Sequence, residues 1–203
     1  MNSTISTLLA TIPGSAVTFL TAMLIGSASP LAAESTDRSI DDFDQAEVQP
    51  TGMPRMIIDD NEAGGQSKAT TAFADGVMTV NGNLVPGRGA PGFVSIPLIL
   101  SNDGSPRDLS KFTGVRLRGK LTRGSLIVQT STTDVTNFDY HSSAPITRDP
   151  ENFQTVEIPF AAMKQVWSAP TALNLKTVTS INLVSAGMAP DTISYEIDEI
   201  SLY

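Results

Sequence analysis

His141 and the acidic run Glu196-Ile197-Asp198-Glu199 are the places in this sequence where catalysis would have to reside. A serine triad needs an imidazole as general base, and Asp139-Tyr140-His141-Ser142-Ser143 holds the chain's single histidine. No G-x-S-x-G elbow accompanies it, so His141 reads as a strand or loop residue with satisfied hydrogen bonds. The acidic run suggests glycoside hydrolysis, in which two carboxyls about 5 Å apart flank the scissile bond of a retaining enzyme. Alternation along a strand puts Glu196 and Asp198 on one face and Glu199 on the other. Ile200 and Ser201 stand where an E-x-D-x-E or E-x-D-x-x-E pattern needs its third carboxylate. The expectation is a protein without enzymatic machinery.

Composition narrows the alternatives. Among 203 residues, 13 Lys plus Arg face 21 Asp plus Glu, for a net charge of −8, and there is no Cys. Disulfides, thiolate nucleophiles and Cys-ligated metal centres are excluded, and one histidine rules out a multi-His metal site. An acidic chain lacks the dense Lys and Arg that bind phosphate backbones, so no nucleic-acid partner is expected.

The charges are unevenly distributed, since none precedes Glu34. Residues 1–33 read as an export signal with an apolar centre from Ala16 to Gly26, followed by small residues that place cleavage after Ala28 or Ala33. Export implies a periplasmic or extracellular destination, with an organelle lumen as the alternative. A polar lead-in follows over 34–39, and residues 40–203 form one domain.

Within that domain, Gly64-Gly65, Asp75-Gly76, Asn81-Gly82, Pro86-Gly87, Asp103-Gly104, Arg123-Gly124 and Asp149-Pro150 punctuate short β-like runs. The clearest runs from Thr113 to Leu121, where Val115, Leu117 and Leu121 alternate with Arg116, Arg118 and Lys120. Further strands are expected over 77–80, 92–100, 125–130, 153–158, 177–184 and 193–202, rich in Val, Ile, Thr and aromatics. One short helix is expected over 159–166, opened by its proline. Many short strands with Gly/Pro turns predict an all-β sandwich or jelly roll.

Candidate ligand-binding residues follow from these elements. The row Arg116, Arg118 and Lys120 either recognises an anionic partner or forms a solvated face that protects the sheet. Sugar-binding faces use rings as stacking platforms, for which Tyr140, Trp167 and Tyr195 are the aromatics available, although Trp167 also reads as a core anchor. The ligand-binding set is thus Arg116, Arg118, Lys120, Tyr140, His141 and Trp167. Gly64 and Gly65 permit positive φ and close backbone approach, so the loop they form with Ser67 is a tight structural turn or a ligand-receiving one.

Four segments in order resemble the complex I intermediate-associated protein 30 family. They are Ile40-Asp41-Asp42-Phe43; Ile57-Ile58-Asp59-Asp60-Asn61-Glu62-Ala63-Gly64-Gly65-Gln66-Ser67, which is similar to D-x-x-M-G-G-x-S with Ala63 in place of methionine; Asp108 to Val115; and Val156-Glu157-Ile158-Pro159-Phe160. Tyr195 to Ile200 is similar to the family's closing strand. The resemblance spans residues 40–203 and implies a galactose-binding-like jelly-roll β-sandwich. Several modules of that fold bring their first and last strands together around calcium, for which Asp41, Asp42 and Asp44 near the start and Asp198 or Glu199 near the end would be the ligands, Asp41 and Asp198 foremost. Function is expected to be exported, non-enzymatic binding of a protein partner, in the manner of an assembly factor or membrane-complex subunit, with carbohydrate binding as the alternative.

Overall fold

The computed structural model describes residues 38–203. The expected export signal over 1–33 and nearly all of the lead-in lie outside them. Eleven strands form two antiparallel sheets stacked into a jelly-roll sandwich, as expected. One sheet contains β1 (Ser39–Asp41), β3 (Lys68–Ala74), β4 (Val77–Leu84), β6 (Gly114–Arg123), β9 (Gln154–Pro159) and β11 (Asp191–Leu202), ordered β3-β4-β11-β6-β9. β1 continues the β4 edge of β11, with Ser39 opposite Ser201. The other sheet is ordered β2 (Ile58–Asp59), β5 (Gly92–Ile99), β10 (Val178–Gly187), β7 (Ile127–Thr132) and β8 (His141–Ser142).

Period-two patterning explains the layering. In β6, Val115, Leu117 and Leu121 turn inward and are at most 2% exposed. The inward position between them is Gly119, where an added β-carbon would lie 2.6 Å from Ile197 Cδ1. Glycine there leaves room for the Ile197 side chain of the neighbouring strand β11, its direct partner across the ladder. Tyr195 and Ile197 of β11 share the main core with Ile96, Leu98, Ile181 and Leu183 of the second sheet, while Ile193 packs in a smaller cluster with Leu84 and Val94. Burying each such aliphatic contributes about 1.5–3 kcal/mol.

Three expectations change. A β-bulge lies between Ile197 and Glu199, so Asp198 and Glu199 both leave the core side while Ile197 and Ile200 are buried. Glu199 is therefore not on the opposite face from Asp198, because the inserted residue resets the alternation. The helix expected over 159–166 is a single 3₁₀ turn, Phe160–Ala162. Met163 then becomes extended, and Lys164 exchanges two backbone hydrogen bonds with Ser142, of 2.9 and 3.0 Å. Pairing with the edge of the second sheet thus overrides local helical preference. Tyr195 is core, 1% exposed, and cannot serve as a stacking platform; burial raises its phenol pKa.

Candidate functional site

The outer face of the six-stranded sheet carries the predicted basic row, but every member has an acidic neighbour. Arg116 reaches Glu157 at 2.7 Å, Lys120 reaches Glu196 at 3.0 Å, and Arg118 pairs with Asp198. Aromatic rings back them: Arg116 lies over Tyr203, and Arg118 and Lys120 over Phe153. An open cleft of about 730 Å³ on this side is lined by both signs of charge, including Arg38, Asp42, Asp75 and Glu199. The row is a self-compensated ladder rather than an anion receptor. Glu196 and Asp198 are likewise engaged by cations.

Asp41 and Asp198 do not form the expected calcium site. The buried Asp41 carboxylate accepts bidentate bonds of 2.6 and 2.9 Å from Arg55, and a third from Phe43 N. The Arg55 guanidinium is stacked between the rings of Phe43 and Phe73, 5.2 and 4.9 Å from their centroids. A cation at Asp41 would have to displace another cation already desolvated there. Among the described residues no cluster of three or more metal-ligating side chains occurs.

Gly64, Gly65 and Ser67 belong to a structural knot. The Asp60 carboxylate is 1% exposed and accepts Ser67 N at 2.9 Å, Ser67 Oγ at 2.6 Å and Phe93 N at 3.2 Å. Ser67 Oγ in turn accepts Val85 N at 2.9 Å. The loop ties β2 to the start of β5, which makes it the tight structural turn of the two alternatives.

The second sheet's outer face has a different chemistry. Residues directly opposite one another share a face, which sets Pro97, Asn182, Gln129 and Ser142 in one row across β5, β10, β7 and β8. Ile99, Ser180 and Ser131 form the row on one side, and Ile58, Ser95, Val184 and Ile127 the row on the other. Only Asp59 and His141 in these five strands are ionisable. They lie opposite Val94 and Thr130, both fully buried, and so face away. The five strands place no charge on this face; the exposed Lys164, opposite Ser142 in the segment bridged to β8, adds one cation at its edge. Ser180 Oγ donates to Asn182 Oδ1 at 2.9 Å, Asn182 Nδ2 to Ser131 Oγ at 2.7 Å, and Gln129 Nε2 to Ser142 Oγ at 3.0 Å. Asn182 is only 5% exposed, so these amides and hydroxyls are recessed.

His141 therefore points inward, and its Nε2–H donates to Thr171 O at 2.9 Å. It braces the loop above and touches no outer face. Trp167, expected in the core, is 65% exposed, with Val166 at 70% and Phe138 at 73%. The cause is the buried Asp139, which accepts Val166 N at 2.8 Å, Trp167 N at 3.0 Å and Ser168 N at 2.5 Å. Burial works to raise the Asp139 pKa, but these N–H donors outweigh it and hold the carboxyl below the usual carboxylate range. Fixing three successive amides presents the Trp167 side chain outward. Tyr140 packs edge-on against Phe138, centroids 6.4 Å apart. Sequence reasoning missed Gln129, Ser131, Ser180, Asn182, Phe138 and Asp139. The available signal was the alternation of uncharged polar residues with Ile181 and Leu183, and with Val128.

Fold and faces together define a two-sheet jelly-roll domain of the galactose-binding-like type, with one charge-laddered surface and one whose strands carry uncharged polar groups. Residues 42–197 match the family model of Complex I intermediate-associated protein 30 (CIA30), and the chain belongs to that family. No curated protein matches it in sequence. In structure it is similar to the family 11 carbohydrate-binding module of the cellulosomal cellulase Lic26A-Cel5E of Clostridium thermocellum, at 17% identity and TM-score 0.58, covering 81% of this chain and 92% of that one. A second structure from the same organism, in complex with a β-1,3-1,4-mixed-linked tetrasaccharide, gives 17% identity and TM-score 0.58 over 81% and 94% of the two chains. The solution structure of CtCBM11 gives 20% identity and TM-score 0.55 over 80% and 91%. At these identities the likeness establishes the fold.

Proposed function

We propose that this domain is an exported binding module for a neutral glycan, which it takes on the outer face of the five-stranded sheet. The observation that carries the reading is the uncharged, recessed array of Gln129, Ser131, Ser180, Asn182 and Ser142 on that face. Hydroxyl-rich, uncharged ligands exchange hydrogen bonds with amides and hydroxyls without the cost of desolvating ions. The ligand of the mixed-linkage complex is of that class, which supports the choice. Calorimetric titration of the full chain with the mixed-linkage tetrasaccharide, cellohexaose, laminarihexaose and xylohexaose tests it. Binding of at least one, weakened about tenfold by Gln129→Ala, is expected for the loss of one hydrogen-bonding side chain. Absence of binding to all four would overturn the reading.

Membership of the complex I intermediate-associated family supports a second reading, docking to a protein during assembly of a membrane complex. The exposed Ile58, Met56, Val85 and Met188 offer apolar surface for it. Silence toward the four glycans combined with co-purification of complex I intermediates would favour this reading over the first.

A further inference from the structure

We infer that the two loops cross-linked by Asp139 form a second sugar-contact site, which takes one neutral pyranose unit with its ring against Trp167 and its hydroxyls against the amides and hydroxyls between the loops. This inference rests on the glycan reading above. A pocket of about 360 Å³ lies between the loops and is lined by Thr136, Asn137, Gln165, Ser168 and Thr171, with Asp134 as its one charged group. The lining is pre-organised: Asn137 Nδ2 donates to Ser168 Oγ at 2.8 Å, and Gln165 Oε1 accepts both Thr171 N and Thr171 Oγ1, at 3.1 and 2.8 Å. Gln165 thereby keeps its amide NH₂ as a donor. Asp134 accepts Thr177 Oγ1 at 2.6 Å, and that bond lowers its pKa and keeps it a carboxylate. An anion here disfavours acidic sugars and accepts hydroxyl donors from neutral ones.

Trp167 is not among the residues that line the pocket; it stands at its rim, between the lining residues Gln165 and Ser168, exposed and with its backbone amide fixed, where a sugar projecting from the pocket could meet an aromatic ring. Continuity with the polar sheet face comes through β8. Ser142 lies three residues beyond Asp139, within about 10 Å along an extended chain, and its Oγ donates to Tyr140 O. A glycan seated on the row Asn182, Gln129 and Ser142 thus runs toward these loops.

Trp167 is the only tryptophan in the chain, so its emission reports on this site alone. The full chain is titrated with the mixed-linkage tetrasaccharide, cellohexaose, laminarihexaose and xylohexaose while heat and tryptophan emission are followed together. The expected result is an emission change that saturates with the heat. Trp167→Ala should weaken binding about tenfold, the scale of one aromatic stacking contact, and Trp167→Phe should restore most of it. Heat with unchanged emission, or Trp167→Ala binding like the parent, overturns the loop site and leaves the sheet-face reading standing. No heat with any of the four glycans overturns both.

Discussion

Asp60 and Gly65 are packed so closely that a β-carbon on residue 65 would lie 2.2 Å from the Asp60 carboxyl carbon. The carboxylate cannot retreat, because Ser67 and Phe93 hold it from two further sides. Gly64 precedes it at φ 82°, a backbone region costly to side chains, which explains two adjacent glycines four and five residues after the aspartate. Gly65→Ala is expected to lower stability by about 2–3 kcal/mol, read as a fall in the denaturation midpoint with an unchanged slope.

Truncating the other partner has a different cost. Asp60→Ala relieves the crowding but leaves the buried Ser67 and Phe93 amides unsatisfied, at roughly 1–3 kcal/mol for each uncompensated group. Combining it with Gly65→Ala should cost less than the sum of the two single changes. Additive effects in that double-mutant cycle would contradict a direct contact.

Arg55 and Asp41 form a buried ion pair, with side chains 9% and 1% exposed. Removing one charge strands the other, so Arg55→Ala should destabilise by about 3–5 kcal/mol. Because Arg55 already occupies the Asp41 carboxylate, chelation with EDTA should leave the melting temperature of the parent unchanged. A drop on chelation would show that a metal contributes to the fold.

On the opposite count, Arg118→Ala removes an exposed partner of Asp198 and should cost less than about 1 kcal/mol. Glycan affinity should not move, since this residue lies on the charged sheet. A large loss of binding would place the ligand on the wrong face.

Asp139 sets an acid limit for the Trp167 loop. Its folded pKa lies below the ordinary value of 3.8, so the stabilisation is complete above that value and is lost as pH falls through the lower, folded one. Tryptophan emission should therefore be flat from neutrality to about pH 4 and change only in stronger acid. Asp139→Asn, which cannot accept all three amides as an anion does, should show altered emission already at neutral pH.

Alternation was enough to locate the strands that build the core, because Val115, Leu117 and Leu121 in β6 and Ile181 and Leu183 in β10 repeat at a spacing that only an extended chain can bury. β3 went unread because Lys68-Ala69-Thr70-Thr71-Ala72-Phe73-Ala74 packs small residues whose contrast is weak. The site was less legible for a physical reason. Arg118 finds Asp198 and Lys120 finds Glu196 only once β6 and β11 are paired, so a row that looks free in sequence is neutralised by distant residues. Trp167 followed the same logic in reverse: an isolated large ring near prolines looks like core, and it is a carboxylate 28 positions away in the chain that fixes it outward. Complex I intermediate-associated motifs at Asp60 to Ser67 mark a folding knot, which is why they identify the fold better than the ligand.

Ser39 beside Ser201 sets the first and last strands of the described residues next to each other within one sheet. A polypeptide arranged this way can be grafted into an exposed loop of a host protein, or relinked head to tail and opened elsewhere, with little distortion of either partner. The 101–106 turn, exposed and remote in the sequence from both strands, is a natural place to make the new opening.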